Sequence, residues 1–246
     1  RLQAHDAFAT SPMPSTREEE WRYTDIGKLL ELEELSHSEE HAPVQSLEEL
    51  PDGLRGLIDA AGESSATLVQ IDGSLVRRDF PEDLASQGVI LTSLEQAVQE
   101  HPELVQRYLA TAVSEQDGKF AALNTASWTG GTFLYVPKNV RVTVPIRSFR
   151  WIGRAGSALF GRTLIVAEPN AEVAVMDEAG SDDFERQTLS NAGAEIFAAE
   201  GAKVTYVSLQ RWGKGVLHLT TDRLVAGRDA RITTLYTTLH EVARPE

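Results

Sequence analysis

The sequence predicts a mainly β protein, a β-solenoid preceded by an N-terminal α+β segment. Three observations carry this prediction. A tetrad of turn residue, small apolar residue, charge and β-branched residue occurs at Asn139-Val140-Arg141-Val142, Asn170-Ala171-Glu172-Val173, Gly201-Ala202-Lys203-Val204 and Asp229-Ala230-Arg231-Ile232, at intervals of 31, 31 and 28 residues. Strand formers dominate from about residue 120, in runs such as TFLYVP, VRVTVPI, RTLIVA, AEVAVMD, AEIFAA, KVTYVSL, LHLTTDRLVA and RITTLYTTL. Before that point the chain carries helix caps and a hairpin turn instead.

The tetrad has a physical meaning. Asn, Gly and Asp tolerate positive φ and tight turns. The small residue packs inward, the charge points to solvent and the β-branched residue returns to the core, as strand alternation requires. One such corner every 30 residues or so returns the chain to the same place one layer on, and each unit buries its apolar face only by stacking on the next. A sandwich with hairpins at the tetrads also satisfies the pattern. The near-constant interval favours the solenoid.

Taken in order, residues 1–14 read as a flexible lead-in arm. In STREEEWRYTDIGKLLELEEL, Ser15 with Glu18 or Thr16 with Glu19 matches a capping box, and Gly27 weakens a long helix. One short helix or two turns are predicted there, anchored by Trp21, Ile26, Leu29 and Leu30. Residues 36–46 read as polar loop, and SLEELPDGLRGLIDAAG offers short helical turns. TLVQIDGSLVRRDF reads as a hairpin about Asp72-Gly73. Further on, a strand ends at Thr92 or Ser93, which caps a helix from Leu94, and Pro102 opens a second helix. The division predicted is an α+β segment over 1–119 with capped helices and a β-helix domain over 120–246, incomplete at its C-terminal end.

Composition excludes several classes. With 246 residues the chain can bury a sizeable core. It has no apolar run near the roughly 20 residues that cross a bilayer. The start, RLQAHDAF, has no basic stretch followed by an apolar one, so no secretory signal is expected. Cysteine is absent, which removes disulfides, thiolate metal sites and cysteine nucleophiles. Both features fit a cytoplasmic protein. Residues 1–120 hold 24 acids and 9 bases, and residues 121–246 hold 13 acids and 14 bases. The acidic half repels a phosphate backbone and argues against nonspecific nucleic-acid binding by that half, and with no spanning apolar run neither nucleic acid nor membrane is an expected partner.

No P-loop, HExxH, GxSxG or GxGxxG motif is present. Trp128-Thr129-Gly130-Gly131 and Gly153-Arg154-Ala155-Gly156 read as turns. Asp177-Glu178 and Asp182-Asp183, with Glu185-Arg186, could serve acid–base chemistry or hold a cation. Being adjacent in sequence around Gly180 and Ser181, they read first as a solvated loop. His218 and His240 have no second ligand at metal spacing and read as structural or surface residues. Trp21, Trp128, Trp151 and Trp212 read as core or subunit contacts, with stacking on a sugar or flavin ring as the functional alternative. No catalytic or metal-binding residue is assigned, and no cofactor-binding residue is identified.

Two long stretches carry a family resemblance. Ser15 to Asp25, STREEEWRYTD, resembles the TRKEEEWRYT motif of the SufB/SufD family of iron–sulfur cluster assembly proteins. Asn124 to Lys138, NTASWTGGTFLYVPK, resembles that family's NTAFWSGGTFLYVPKGV, and Arg162 to Val166 resembles its ERTLIIV strand. The first motif points to the SufD branch. The resemblance implies a right-handed parallel β-helix after an N-terminal helical segment. It implies a scaffold and interaction subunit of the SUF complex, not an enzyme, with SufB-like and SufC-like proteins as partners, or a second copy through the β-helix. The iron–sulfur cluster and reduced flavin are implied only for the whole complex, and the family's docking region for the ATPase has no matching positions here. A carbohydrate-active β-helix enzyme is the alternative, requiring Asp177, Asp182, Asp183 and Arg186 along one groove. The last coil, near Arg231 to Leu239, is expected to expose an apolar layer and unpaired edges that pack on something.

Overall fold

The computed structural model describes residues 1–239. The N-terminal elements are α1 (Leu2–Thr10), α2 (Ile26–Leu29), β1 (Ser36–His37), α3 (Asp52–Ala60), β2 (Ala66–Ile71), β3 (Ser74–Asp79), α4 (Glu82–Ser86), β4 (Ile90–Ser93), α5 (Leu94–Glu100), α6 (Pro102–Tyr108) and α7 (Lys119–Ser127). Strands follow: β5 (Thr132–Val136), β6 (Ile146–Ile152), β7 (Ser157–Leu159), β8 (Arg162–Ala167), β9 (Glu172–Ser181), β10 (Thr188–Ala198), β11 (Lys203–Arg211), β12 (Val216–Ala226) and β13 (Arg231–Thr238).

The strands from β5 onward wind between two sheets, alternating except that β7 and β8 lie end to end along β10 in one sheet, and make a β-solenoid of about 3 turns. One sheet runs β13-β11-β9-β6-β2-β3; the other runs β1-β7-β10-β8-β5-β4, with β12 also on β10. Pairing between successive layers is parallel, and among the described residues only β2 with β3 and β4 with β5 are antiparallel. The two sheets face each other across an apolar interior that includes Leu68, Leu134, Ile146, Ile165, Val175, Ile196 and Val204.

Each tetrad stands where the chain leaves one sheet for the other. Asn139, Asn170, Gly201 and Asp229 all have positive φ, at 63°, 60°, 70° and 56°. The amides of Asn139, Asn170 and Gly201 donate to the carbonyls of Pro169, Glu200 and Arg228 one layer on, at 3.0, 3.0 and 2.9 Å. Asn170 Nδ2 also donates to Asn139 Oδ1 at 3.1 Å. Ala171 and Ala202 are fully buried. Outside them Arg141 and Lys203 flank Glu172 at 3.7 and 3.6 Å. The solenoid, not the sandwich, satisfies the repeat.

The hairpin, the strand ending at Ser93, the Ser93 side-chain cap on α5 and the Pro102 start of α6 fall where predicted. Several elements differ, among them the short strand β1 at the start of the stretch 36–46 that reads as polar loop. The arm at 1–14 contains α1, which packs on α7; Lys119 Nζ caps it by donating to the carbonyls of Phe8 and Ser11 at 2.8 and 2.7 Å. Helix α7 lies where only strands were expected, because FAALNTAS is buried nearly all round and shows no amphipathic period. The run VRVTVPI is not the strand; β6 begins after Pro145, whose ring removes an amide donor, and Arg141 makes only an isolated bridge to Glu172. Among the described residues, no helix is long and apolar enough to cross a membrane.

Candidate functional site

Alternation decides where each polar residue of the solenoid goes. On β6, Ser148 and Arg150 point inward, while Arg147, Phe149 and Trp151 point outward under α3 and its neighbours. Among the described residues, three ion pairs are buried as a result, one on the outer face of each sheet and one inside.

The inner pair lies between layers. Arg150 Nε and Nη2 donate to the two oxygens of Asp177 at 3.0 and 2.8 Å, and Tyr206 Oη donates to Asp177 Oδ2 at 2.7 Å. Burial, then the Asp177 charge, pushes the Tyr206 phenol well above its ordinary value. On β12 the side chains of His218, Thr220 and Asp222 extend this polar spine; Thr220 Oγ1 donates to Asp222 Oδ1 at 2.7 Å. Burial raises the Asp222 carboxyl. His218 Nδ1 pairs with Ser190 Oγ at 2.9 Å and its ring lies 5.0 Å from that of Trp212. The imidazole is packed deep among side-chain atoms yet reaches solvent along the free edge of β12; burial, then Arg150, holds it down at about 3. The space left among these groups is about 10 Å³, the least that admits a single water.

The outer pairs tie the N-terminal segment to the solenoid. Arg162 and Glu195 are both 0% exposed, with Arg162 Nη2 2.8 Å from Glu195 Oε2. Asn124, Thr125 and the Val113 carbonyl take the other guanidinium donors, and the amides of Ala110, Ala112 and Val113 donate to the Glu195 carboxylate at 2.9, 2.9 and 3.0 Å. Both ions are therefore satisfied, which a dry site demands. Arg147 pairs with Glu178 on the other sheet; burial raises the Glu178 carboxyl, with Arg147 pulling the opposite way.

Asp177 and Glu178 correct the sequence expectation of a solvated loop. They lie in β9, 1% and 5% exposed, because the strand continues through Ser181 and each acid meets an arginine one layer away. The four residues of the alternative groove do not converge. Asp177 is inside; Asp183 Oδ1 accepts the Lys214 amide at 2.7 Å; Asp182 lies beside Gly53 of α3; Arg186 lies against Gly156. Trp128, Trp151 and Trp212 are buried and Trp21 stacks on Phe120 at 5.5 Å. Among the described residues, no group of three or more His, Asp or Glu could hold a metal ion. His240 lies outside the described residues.

The sequence did not reveal a cleft of about 940 Å³ between the N-terminal elements and the solenoid. Its floor is the crossing of the Asp72-Gly73 turn and Thr129-Gly130, where a Cβ on either glycine would overlap the other loop's backbone. Asp72 accepts from His41 Nε2 at 2.8 Å and from the Gly153 amide at 2.9 Å. Glu95 accepts the Gly130 amide, and burial raises its carboxyl. The hairpin and the WTGG motif were each legible as turns; their meeting was not.

Against known proteins, residues 1–148 match the family described as SufBD protein N-terminal region, and residues 149–243 match the SUF system FeS cluster assembly, SufBD core domain. The chain belongs to the SufBD family. The SufBD relatives it is similar to include the iron–sulfur cluster assembly protein SufD of Bacillus subtilis (strain 168), 32% identical over 94% of this chain and 52% of that protein. SufBD family proteins of Staphylococcus aureus (strain USA300) and Staphylococcus epidermidis are 30% and 31% identical over 91% of this chain and 48% of theirs. The chain thus spans about half the length of these SufBD relatives.

Proposed function

We propose that this chain acts as a non-catalytic, SufD-like scaffold subunit of a SUF assembly complex, acting with a SufB-like scaffold and a SufC-like ATPase. The observation that carries this is the filled solenoid. Asp177, Glu178 and Glu195 are bound to arginines, the space beside Arg150 and His218 is only about 10 Å³, and the residues a polysaccharide-cleaving groove would need are scattered. Such a body offers faces rather than a reaction vessel. The iron–sulfur cluster is cargo: with no cysteine, this chain supplies no thiolate to it, and any reduced flavin belongs to the assembled complex.

The test is co-purification. Tagged chain is expressed with SufB- and SufC-like proteins, and Met176, Thr205 and Val207, outward on β9 and β11, are replaced by lysine in a second preparation. Retention of the SufB-like protein by the first and its loss by the second is expected. Failure of the unmodified chain to retain the SufB-like protein would sink the reading, and cleavage of any acidic polysaccharide would replace it with the carbohydrate-active one.

A further inference from the structure

We propose that the 940 Å³ cleft seats an arginine side chain presented by an extended, apolar peptide segment of a partner protein. The cleft has the size and mixed lining of a ligand site. Its charged lining is acidic on balance: Glu39, Glu40, Asp72 and Glu95 stand against the guanidinium of Arg1, and although Glu39 pairs with Arg154 and Asp72 with His41, Glu40 and Glu95 have no ion-pair partner among the described residues. Phe8, Leu35, Leu123 and Phe160 supply the apolar surface on which a side-chain stem or a flanking residue is buried.

A guanidinium already shows how such a group is received. The Arg1 carbon Cζ lies 4.2 Å from the centre of the Trp128 ring, and Arg1 Nη2 donates to the Trp128 carbonyl at 2.9 Å. A flat cation on an indole face beside carboxylates is the setting in which arginine outperforms lysine. The peptide form follows from the rim. Ser36–His37 is the end strand of its sheet, and the residues from Ser36 to His41 line the cleft, so an extended segment can lie along that edge while its arginine enters.

The inference does not rest on the SUF assignment, since a peptide titration reports on the cleft alone. The probe is fluorescein-labelled Leu-Val-Arg-Val-Leu, titrated with the full chain, alongside the same peptide with citrulline for arginine. The arginine peptide is expected to bind about tenfold more tightly than the citrulline peptide, as loss of a charge-assisted contact implies, and more weakly as salt is raised. Glu95→Gln is expected to weaken arginine binding, and Arg1→Ala to tighten it by removing the resident guanidinium. Trp128→Phe, checked for folding by circular dichroism, is expected to reduce the preference for arginine over citrulline. Equal affinity for the two peptides, no effect of Arg1→Ala and Glu95→Gln, or equal affinity for free arginine amide would each overturn the proposal.

Discussion

Arg162 carries five N–H donors into a place closed to water, and every partner it finds comes from a different part of the chain: α7, the loop at 110–113 and β10. Removing one member of such a pair leaves the other buried and uncompensated. Glu195→Leu is therefore expected to lower unfolding free energy by about 3–5 kcal/mol, and Arg162→Met/Glu195→Leu by much less, because the double change removes both charges. Urea titration of the three proteins checks this. His218 gives a pH dependence of definite sign. Its folded value of about 3 lies below its ordinary 6.5, so the unfolded chain binds the extra proton between those values. The stability that the neutral imidazole contributes is present above pH 6.5 and lost as pH falls toward 3. His218→Asn is expected to be less stable than the parent at pH 7, with the gap narrowing at pH 4.5, as read from thermal unfolding at the two pH values. Asp222 and Glu178, raised by burial, act in the opposite sense in both proteins and cancel from the difference.

At the scale of elements, the tetrad corners were legible because their chemistry is local. A residue with positive φ, then small, charged and β-branched positions, can be read without knowing what lies above or below. Asn170→Gly keeps the backbone conformation and loses only the Asn139 contact, so a change within about 1 kcal/mol is expected. Asn170→Val forces a β-branched residue to φ near 60° and is expected to cost about 1–2 kcal/mol more, measured by denaturant midpoint. Helices α1 and α7 were not legible for the converse reason. Their stability comes from each other and from Ile26, Leu189 and Phe160, which are distant in sequence, and neither carries an amphipathic stripe of its own. The Asp177-Glu178 pair was misread by the same mechanism: adjacent acids look solvated until the strand on the next layer brings arginine to them.

Taken whole, the molecule is a parallel stack whose N-terminal segment covers both outer faces of the first layers. Among the described residues, β12 and β13 end the stack, and Leu224, Val225, Leu235, Tyr236 and Leu239 are exposed there. That matches the expected apolar last layer. An exposed edge of this kind templates association. The 246-residue chain is expected to show a light-scattering mass above its 27.0 kDa, and Val225→Lys/Leu235→Lys to shift it toward the monomer. A parent protein that runs as a clean monomer would contradict this.

The sequence by itself determined the coil period, the corners, the hairpin, the caps of α5 and the family, because each rests on residues that are neighbours along the chain or in one continuous motif. Only the tertiary structure decided that the solenoid's acids are neutralised by arginines, that the first and last N-terminal helices pair, and that two separate glycine turns cross to floor a cleft. Those outcomes depend on which layer lies beside which, and stacking brings together residues some 30 or more positions apart that no local pattern links.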